Sequence, residues 1–237
     1  SVPPGKLLSV SGKGELAILA PDTEWGTLIR ILPGGGAPRE VLDNVHEAVW
    51  VDDDNLAVLR RAENLFRVEQ PIGKVVATAA ARGQERLARS SAGLAYWQYD
   101  ASTGDYSLEH APSGGAKPRA LTSGWRAIGG IVWAPDAKEV WFSGTRTGED
   151  PALYSVTLGG AVRMLIQTTG FLSPQEFGPA GKLLCTDSYT RLGIRLGSSN
   201  GGEHEFGWLE SSFARDFSDD GKVLLFGELS YGVDRNA

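Results

Sequence analysis

Two carboxylates stand in the same phase of a repeating pattern: Glu176 lies five residues before Gly181, and Asp216 five before Gly221. Other copies of the pattern carry Val49 and Val132 at this position, so here charge replaces an apolar residue. With Glu47, and with amides such as Asn44, the pair suits Ca²⁺, a hard cation that takes oxygen ligands. An ion held this way could polarise the carbonyl of a bound ester or lactone. On this reading Glu176, Asp216 and His46 are the candidate catalytic residues, and Glu47, Glu176 and Asp216 the candidate metal ligands. The competing reading is structural, with each carboxylate accepting backbone N–H bonds or pairing with Arg215 or Arg126.

Other chemistry finds little support. His46, His110 and His204 stand in different repeats without short metal-ligand spacing, and His110 and His204 read as solvated residues near strand ends. There is no nucleophile elbow, P-loop, dinucleotide fingerprint or zinc-hydrolase helix, and Gly34-Gly35-Gly36 is a turn with no helix behind it. The acidic turn Asp52-Asp53-Asp54 lacks the glycine and glutamate of an EF-hand loop. Cys185, the single cysteine, sits in the apolar run Lys182–Cys185 and reads as a buried, inert thiol.

The elements that must position these residues are short strands in a repeat. A strand ending in an aromatic residue, a tight turn and an apolar strand recur: Trp133 to Lys138 before Glu139–Phe142, and Phe217 to Lys222 before Val223–Phe226, are the clearest copies. Anchored on Gly14, Asp54, Gly93, Ala137, Gly181 and Gly221, the turns return about every 40 residues, the period of propeller blades. A second turn follows about 20 residues after each of the first five, at Gly34-Gly35-Gly36, Gly73, Gly114-Gly115, Gly159-Gly160 and Gly201-Gly202. Strands are expected at Leu16–Ala20, Thr27–Leu32 and Arg39–Leu42, and at Val140–Ser143, Ala152–Thr157 and Val162–Ile166.

Each unit is thus four short antiparallel strands with two apolar faces, stable only when neighbouring units cover both. The expected fold is all-β, a single β-propeller over residues 1–237. It has five complete blades (about 6–44, 45–80, 84–123, 127–168 and 172–210) and the first hairpin of a sixth (212–237). Trp50, Trp133, Phe177 and Phe217 share one position of the innermost strand and are expected to pack between blades.

The bulk numbers agree. A chain of 237 residues with 41% apolar and 22% charged residues can bury a sizeable core. A net charge of −6 supplies no positive field, so nucleic acid is not an expected partner. No stretch approaches the roughly 18 to 20 apolar residues of a membrane span, and Ser1–Gly5 does not read as a signal peptide.

The turn consensus Ser-Pro-Asp-Gly-Lys before an apolar strand is that of TolB-like, WD-repeat-like propellers. Ala134-Pro135-Asp136-Ala137-Lys138 and Ser218-Asp219-Asp220-Gly221-Lys222 resemble it with one or two departures each. Gly26–Arg30 and Gly34–Leu42, with Thr145–Gly148 and Trp208–Glu210, are similar to the propeller sensor domains that follow bacterial serine/threonine kinase domains, although no kinase motif is present. The resemblance implies a sensor or interaction module in the periplasm or another extracytoplasmic compartment, binding a protein, peptide or small molecule with one rim of the ring. The rim would be formed by loops entering the innermost strands, with Asn44, His46, Glu47, Glu85, Trp125, Arg126, Gln175 and Arg215 as candidate ligand-binding residues. A calcium-dependent lactonase or esterase with its metal in the central channel is the alternative. The unfinished sixth blade would leave strand edges that invite a homodimer.

Overall fold

The computed structural model describes residues 4–21, 24–34, 36–62, 65–79, 86–147, 149–167, 170–188, 192–197, 201–207 and 211–229. Among these residues are 21 strands and one short 3₁₀ turn, Pro179–Gly181. The first blade is β1 (Lys6–Val10), β2 (Leu16–Ala20), β3 (Gly26–Ile31) and the first half of β4 (Arg39–Trp50). The second half of β4 opens the next blade, followed by β5 (Leu56–Ala62), β6 (Leu65–Glu69) and β7 (Val75–Ala79). The third is β8 (Leu87–Ser90), β9 (Gly93–Asp100), β10 (Asp105–Pro112) and β11 (Arg119–Trp125). The fourth is β12 (Ala127–Trp133), β13 (Glu139–Thr145), β14 (Ala152–Thr157) and β15 (Val162–Gln167).

Beyond the fourth blade the sheets are smaller. The fifth unit appears as two antiparallel pairs, β16 (Phe171–Phe177) with β17 (Leu183–Ser188) and β18 (Ile194–Gly197) with β19 (Glu203–Phe206). A sixth unit begins as the hairpin of β20 (Ser211–Phe217) and β21 (Leu224–Leu229). The all-β propeller read from the sequence is the fold observed, with every strand pairing among the described residues antiparallel.

One connection differs from expectation. Residues 43–47 are not a loop between blades, because β4 runs unbroken from the outer edge of one blade to the inner edge of the next. Arg39 and Glu40 pair with β3, and Glu47 to Trp50 pair with β5, so the first two blades form one seven-stranded sheet. The redirection falls at Asn44, which has φ of +58°, a left-handed conformation that asparagine tolerates better than most residues.

The core lies between blades. One cluster joins Leu28 of the first blade to Trp50 and Val58 of the second. Another joins Leu59 and Val68 of the second to Leu94 and Tyr96 of the third, and the largest joins Trp97 and Trp125 to Trp133 and Phe142. Trp50 and Trp133 are each only 5% exposed, and the Trp133 indole N–H donates to the Ala88 carbonyl of the preceding blade at 3.1 Å. Phe177 is half-buried and meets Trp141 edge-on at 5.1 Å. Phe217 departs from the series at 47% exposure, since no further blade covers it among the described residues.

Two smaller expectations are corrected. His110 is not a solvated surface residue: it is buried against the edge of Trp133, with Nε2 3.1 Å from the Ala92 carbonyl, and burial holds its pKa down. Cys185 is half-buried rather than buried, on a fifth unit with a thinner cover. His204 is exposed, as expected.

If inter-blade packing is what holds the ring, Trp133→Ala should cost about 3 to 5 kcal/mol in denaturant unfolding. Phe217→Ala, at the matching position, should cost less than about 1 kcal/mol. Equal losses would show that the shared position does not act through burial.

Candidate functional site

The innermost strands β1, β4, β8, β12 and β16 neighbour one another in chain order and wall a central cavity of about 710 Å³. Its lining runs from Leu7 to Val10, Glu47 to Val49, Leu87 to Ser91, Ile131 to Trp133 and Gln175 to Gly178, with the turn residues Ala134, Pro135 and Ala137. The cavity therefore occupies the half of the channel toward which the innermost strands run, not the loops through which they enter. This is why it collects only three of the candidate rim and metal residues, Glu47, Gln175 and Glu176.

Glu47 is the most constrained of them. Its side chain is buried on β4, with Oε2 3.0 Å from Arg86 Nη1 and 3.9 Å from Lys6 Nζ. Lys6 opens β1 and Arg86 directly precedes β8, so a carboxylate of the second blade is held by cations of the first and third. Burial pushes its pKa up, against the pull of Arg86, Lys6 and His46.

The fourth blade offers Gly130 where the second has Glu47, and the reason is steric. A Cβ on Gly130 would collide with the Pro174 carbonyl of β16, while its N–H donates to Ser173 Oγ at 2.7 Å. The wall is tight at this point and cannot carry a side chain.

The remaining candidates are dispersed. His46 is buried in β4, with Nδ1 2.8 Å from the Glu24 carbonyl and its ring 4.9 Å from that of Trp25; it is not on a loop rim. Trp125 is also not a rim residue: it is 1% exposed in the largest core cluster, donates to Thr122 Oγ1 and lies under the Arg146 guanidinium. Arg126 is exposed and committed to Asp105 at 2.9 Å and to Thr147. Asn44 is exposed at the redirection of β4, and Arg215 is exposed on β20. Gln175 and Glu176 are exposed to the cavity on β16. Asp216 is exposed, accepts the Phe217 N–H and does not line the cavity. Glu85 lies outside the described residues.

Glu47, Glu176 and Asp216 are thus not gathered around one point. Among the described residues no group of three or more histidine, cysteine, aspartate or glutamate side chains could hold a metal ion. Lys6 and Arg86, the cations that hold Glu47, are not among the residues the sequence singles out. Repeat phase could have flagged one of them, because Arg86 precedes Gly93 by seven residues, as Glu47 precedes Asp54.

No family model matches this chain, and no curated protein matches it by sequence. Solved structures do match by shape. A protein assigned as TolB from Agrobacterium tumefaciens superposes with a TM-score of 0.61 at 16% identity, over 85% of this chain and 79% of that one. TolB from Acinetobacter baumannii gives 0.59 at 12% identity, over 98% of this chain but only 56% of its own length. The fold is that of the TolB-like β-propellers. A gluconolactonase from Xanthomonas campestris, at 0.55 and 12% identity over 94% and 82% of the two chains, shares the same architecture. At such identities the likeness concerns the TolB-like fold alone. No helix among the described residues is long and apolar enough to cross a membrane.

The raised pKa of Glu47 gives a signed test. The folded protein holds the Glu47 proton more tightly than the unfolded chain does, so this group's contribution to stability is full below the unfolded pKa of about 4.3 and is lost as pH rises through the folded value. Unfolding free energies across this window should fall with pH more steeply in the wild type than in Glu47→Gln. Superimposable profiles would place the carboxylate in an environment no harsher than water.

Proposed function

We propose that this chain is a binding module, a sensor or interaction propeller that takes a protein, peptide or small-molecule ligand at its central channel. The observation that carries the reading is the cavity of about 710 Å³, walled by the innermost strands of five blades and lined by apolar and polar groups in turn. Ligand clefts commonly measure about 300 to 1,000 Å³ and pair an apolar wall with a few placed polar groups. Leu7, Leu87 and Ile131 supply the apolar part, and Ser9, Arg89, Gln175 and Glu176 the polar part.

The finer form of the proposal, a sensor like those attached to bacterial serine/threonine kinases and lying outside the cytoplasm, is supported by the resemblance of Gly26–Arg30, Gly34–Leu42 and Thr145–Gly148. The competing reading, a calcium-dependent lactonase or esterase, needs several oxygen ligands at one point. Glu47 already has its Oε2 engaged by two cations, and Asp216 stands apart from the cavity.

A thermal-shift panel of peptides and small polar ligands tests the proposal, with Val132→Trp and Gln175→Trp as variants that fill the cavity. A ligand at a hundred times its Kd adds about 2.7 kcal/mol, a rise of several degrees for a domain of this size. That rise should vanish in both variants; a ligand that stabilises them as well as the wild type binds elsewhere. Tight calcium binding lost in both Glu176→Ala and Asp216→Ala, with metal-dependent ester or lactone turnover, would replace this reading by the hydrolase.

Homodimerisation through the sixth hairpin belongs to the same proposal, because Phe217, Val223 and Leu225 are exposed there. Sedimentation should show a dimer that Phe217→Asp converts to monomer. A wild-type monomer at micromolar concentration would argue against it.

A further inference from the structure

The outermost strands of the first three blades give apolar side chains to the core between blades. Leu121 on β11 is 5% exposed, Val41 and Leu42 on β4 pack on the cluster of Trp50 and Val58, and Val76 and Ala77 on β7 pack on that of Leu59 and Leu94. The outermost strand of the fourth blade, β15, does not follow them. Its Val162, Met164 and Ile166 are 38, 55 and 51% exposed, and none of them joins a core cluster. No further strand pairs with β15 among the described residues, so a row of its backbone N–H and C=O groups is open as well.

Strand register decides which way these side chains face. Val162 stands opposite Val156 and Met164 opposite Tyr154, so both lie on the side turned to the third blade, where Val156 and Tyr154 cluster with Trp125. A bulge at Leu165 then breaks the alternation. Ile166 pairs with Leu153 and Gln167 with Ala152, which turns Ile166 away and brings Gln167 onto the face of Met164.

This face floors a hollow of about 450 Å³, bounded by Trp125 of the third blade. Val162, Met164 and Tyr154 form its apolar side, and Glu149 and Asp150, between β13 and β14, its acidic end. The carboxylates are positioned but not neutralised. The Tyr154 hydroxyl donates to Glu149 Oε2 at 3.5 Å and the Gln167 amide to Asp150 Oδ2 at 3.2 Å, but neither carboxylate has an ion-pair partner among the described residues. The cation in the lining, Arg146, is committed to the face of Trp125, its guanidinium 4.5 Å from the ring centroid. Two acids against one guanidinium leave this end of the hollow negative.

We propose that β15 and this hollow form a docking site for an extended segment of a partner protein that carries a lysine or arginine beside an apolar residue. The segment adds to the open edge of β15, where main-chain bonds supply affinity and the hollow supplies side-chain choice. One basic side chain lies with its stem on Met164 and Val162 and its charged head at Glu149 and Asp150. An acidic segment is repelled by the two carboxylates, and a wholly apolar one desolvates them without offering a partner. The site is on the outer flank of the ring and shares no lining residue with the channel cavity, so it does not rest on the channel reading.

The test selects random heptapeptides displayed on phage against the wild-type chain, after depletion on Met164→Arg, which removes the apolar floor and brings its own cation to the carboxylates. Recovered sequences should carry lysine or arginine beside an apolar residue. A synthetic copy of the commonest one should slow hydrogen exchange of the β15 amides, and its affinity by fluorescence anisotropy should fall about fivefold or more in Glu149→Gln combined with Asp150→Asn. All three positions are exposed, and unchanged circular dichroism and melting confirm that the variants are folded. Val132→Trp, which fills the channel, should leave the peptide's affinity intact, so failure of the channel reading and failure of this one are separable. No enrichment beyond the depleted variant, recovered sequences without a basic residue, protection away from β15, or unaltered affinity in the carboxylate variant overturns the site.

Discussion

The packing of one blade's apolar face on the next is the constraint from which the rest of this molecule follows. A four-stranded sheet with two apolar faces cannot be left half in water, since each large side chain exposed forfeits about 1.5 to 3 kcal/mol. Clusters of buried residues accordingly bridge blades one to two, two to three and three to four. Where the series runs out the matching positions are wet: Val10 on β1 and Phe217 on β20 are about half exposed. Radial stacking also brings five innermost strands around one axis, so the channel is a by-product of core formation. No residue has to be spent on creating it.

Repeat phase made the fold readable, because two turn signals per unit recur at fixed separation and turn chemistry is local. Leu16–Ala20 and Ala152–Thr157 appear as strands at the bounds the sequence suggests. The continuity of β4 was not readable. Asp43, Asn44 and His46 look like loop residues, and it is the pairing of Val45 with Gly26 on one side and with Arg60 on the other that keeps them in a strand. Trp125 and His110 misled for a related reason: both sit near strand ends in the sequence, but neighbouring strands and blades close over them. Burial from a neighbouring element leaves no mark on local sequence.

The candidate site was legible in part for the same reason. Phase pairs Glu176 with Asp216, and of the two only Glu176 lines the cavity, because the sixth hairpin contributes nothing to its wall. Phase could not foresee that Lys6 and Arg86, in different blades and 80 residues apart, close on one carboxylate oxygen. That contact is a product of ring geometry. It also changes what Glu47 can do, since an oxygen already held by two cations is a poor ligand for a third.

Uneven walls set this channel apart from a symmetric ring. Were the repeats identical, every blade would present the same group at the same height, and a ligand would find a symmetric ring. Here the second blade carries Glu47 where the fourth has Gly130, because β16 lies too close to β12 for any side chain. Trp133 spends its indole N–H on the blade before it, while Trp50 keeps its own. Differences of this kind do not improve the fold: a buried donor without a partner and a desolvated carboxylate both cost stability. They cluster on one side of the axis, around the first three blades, and the polar asymmetry of that side sets where an unsymmetrical ligand would be held.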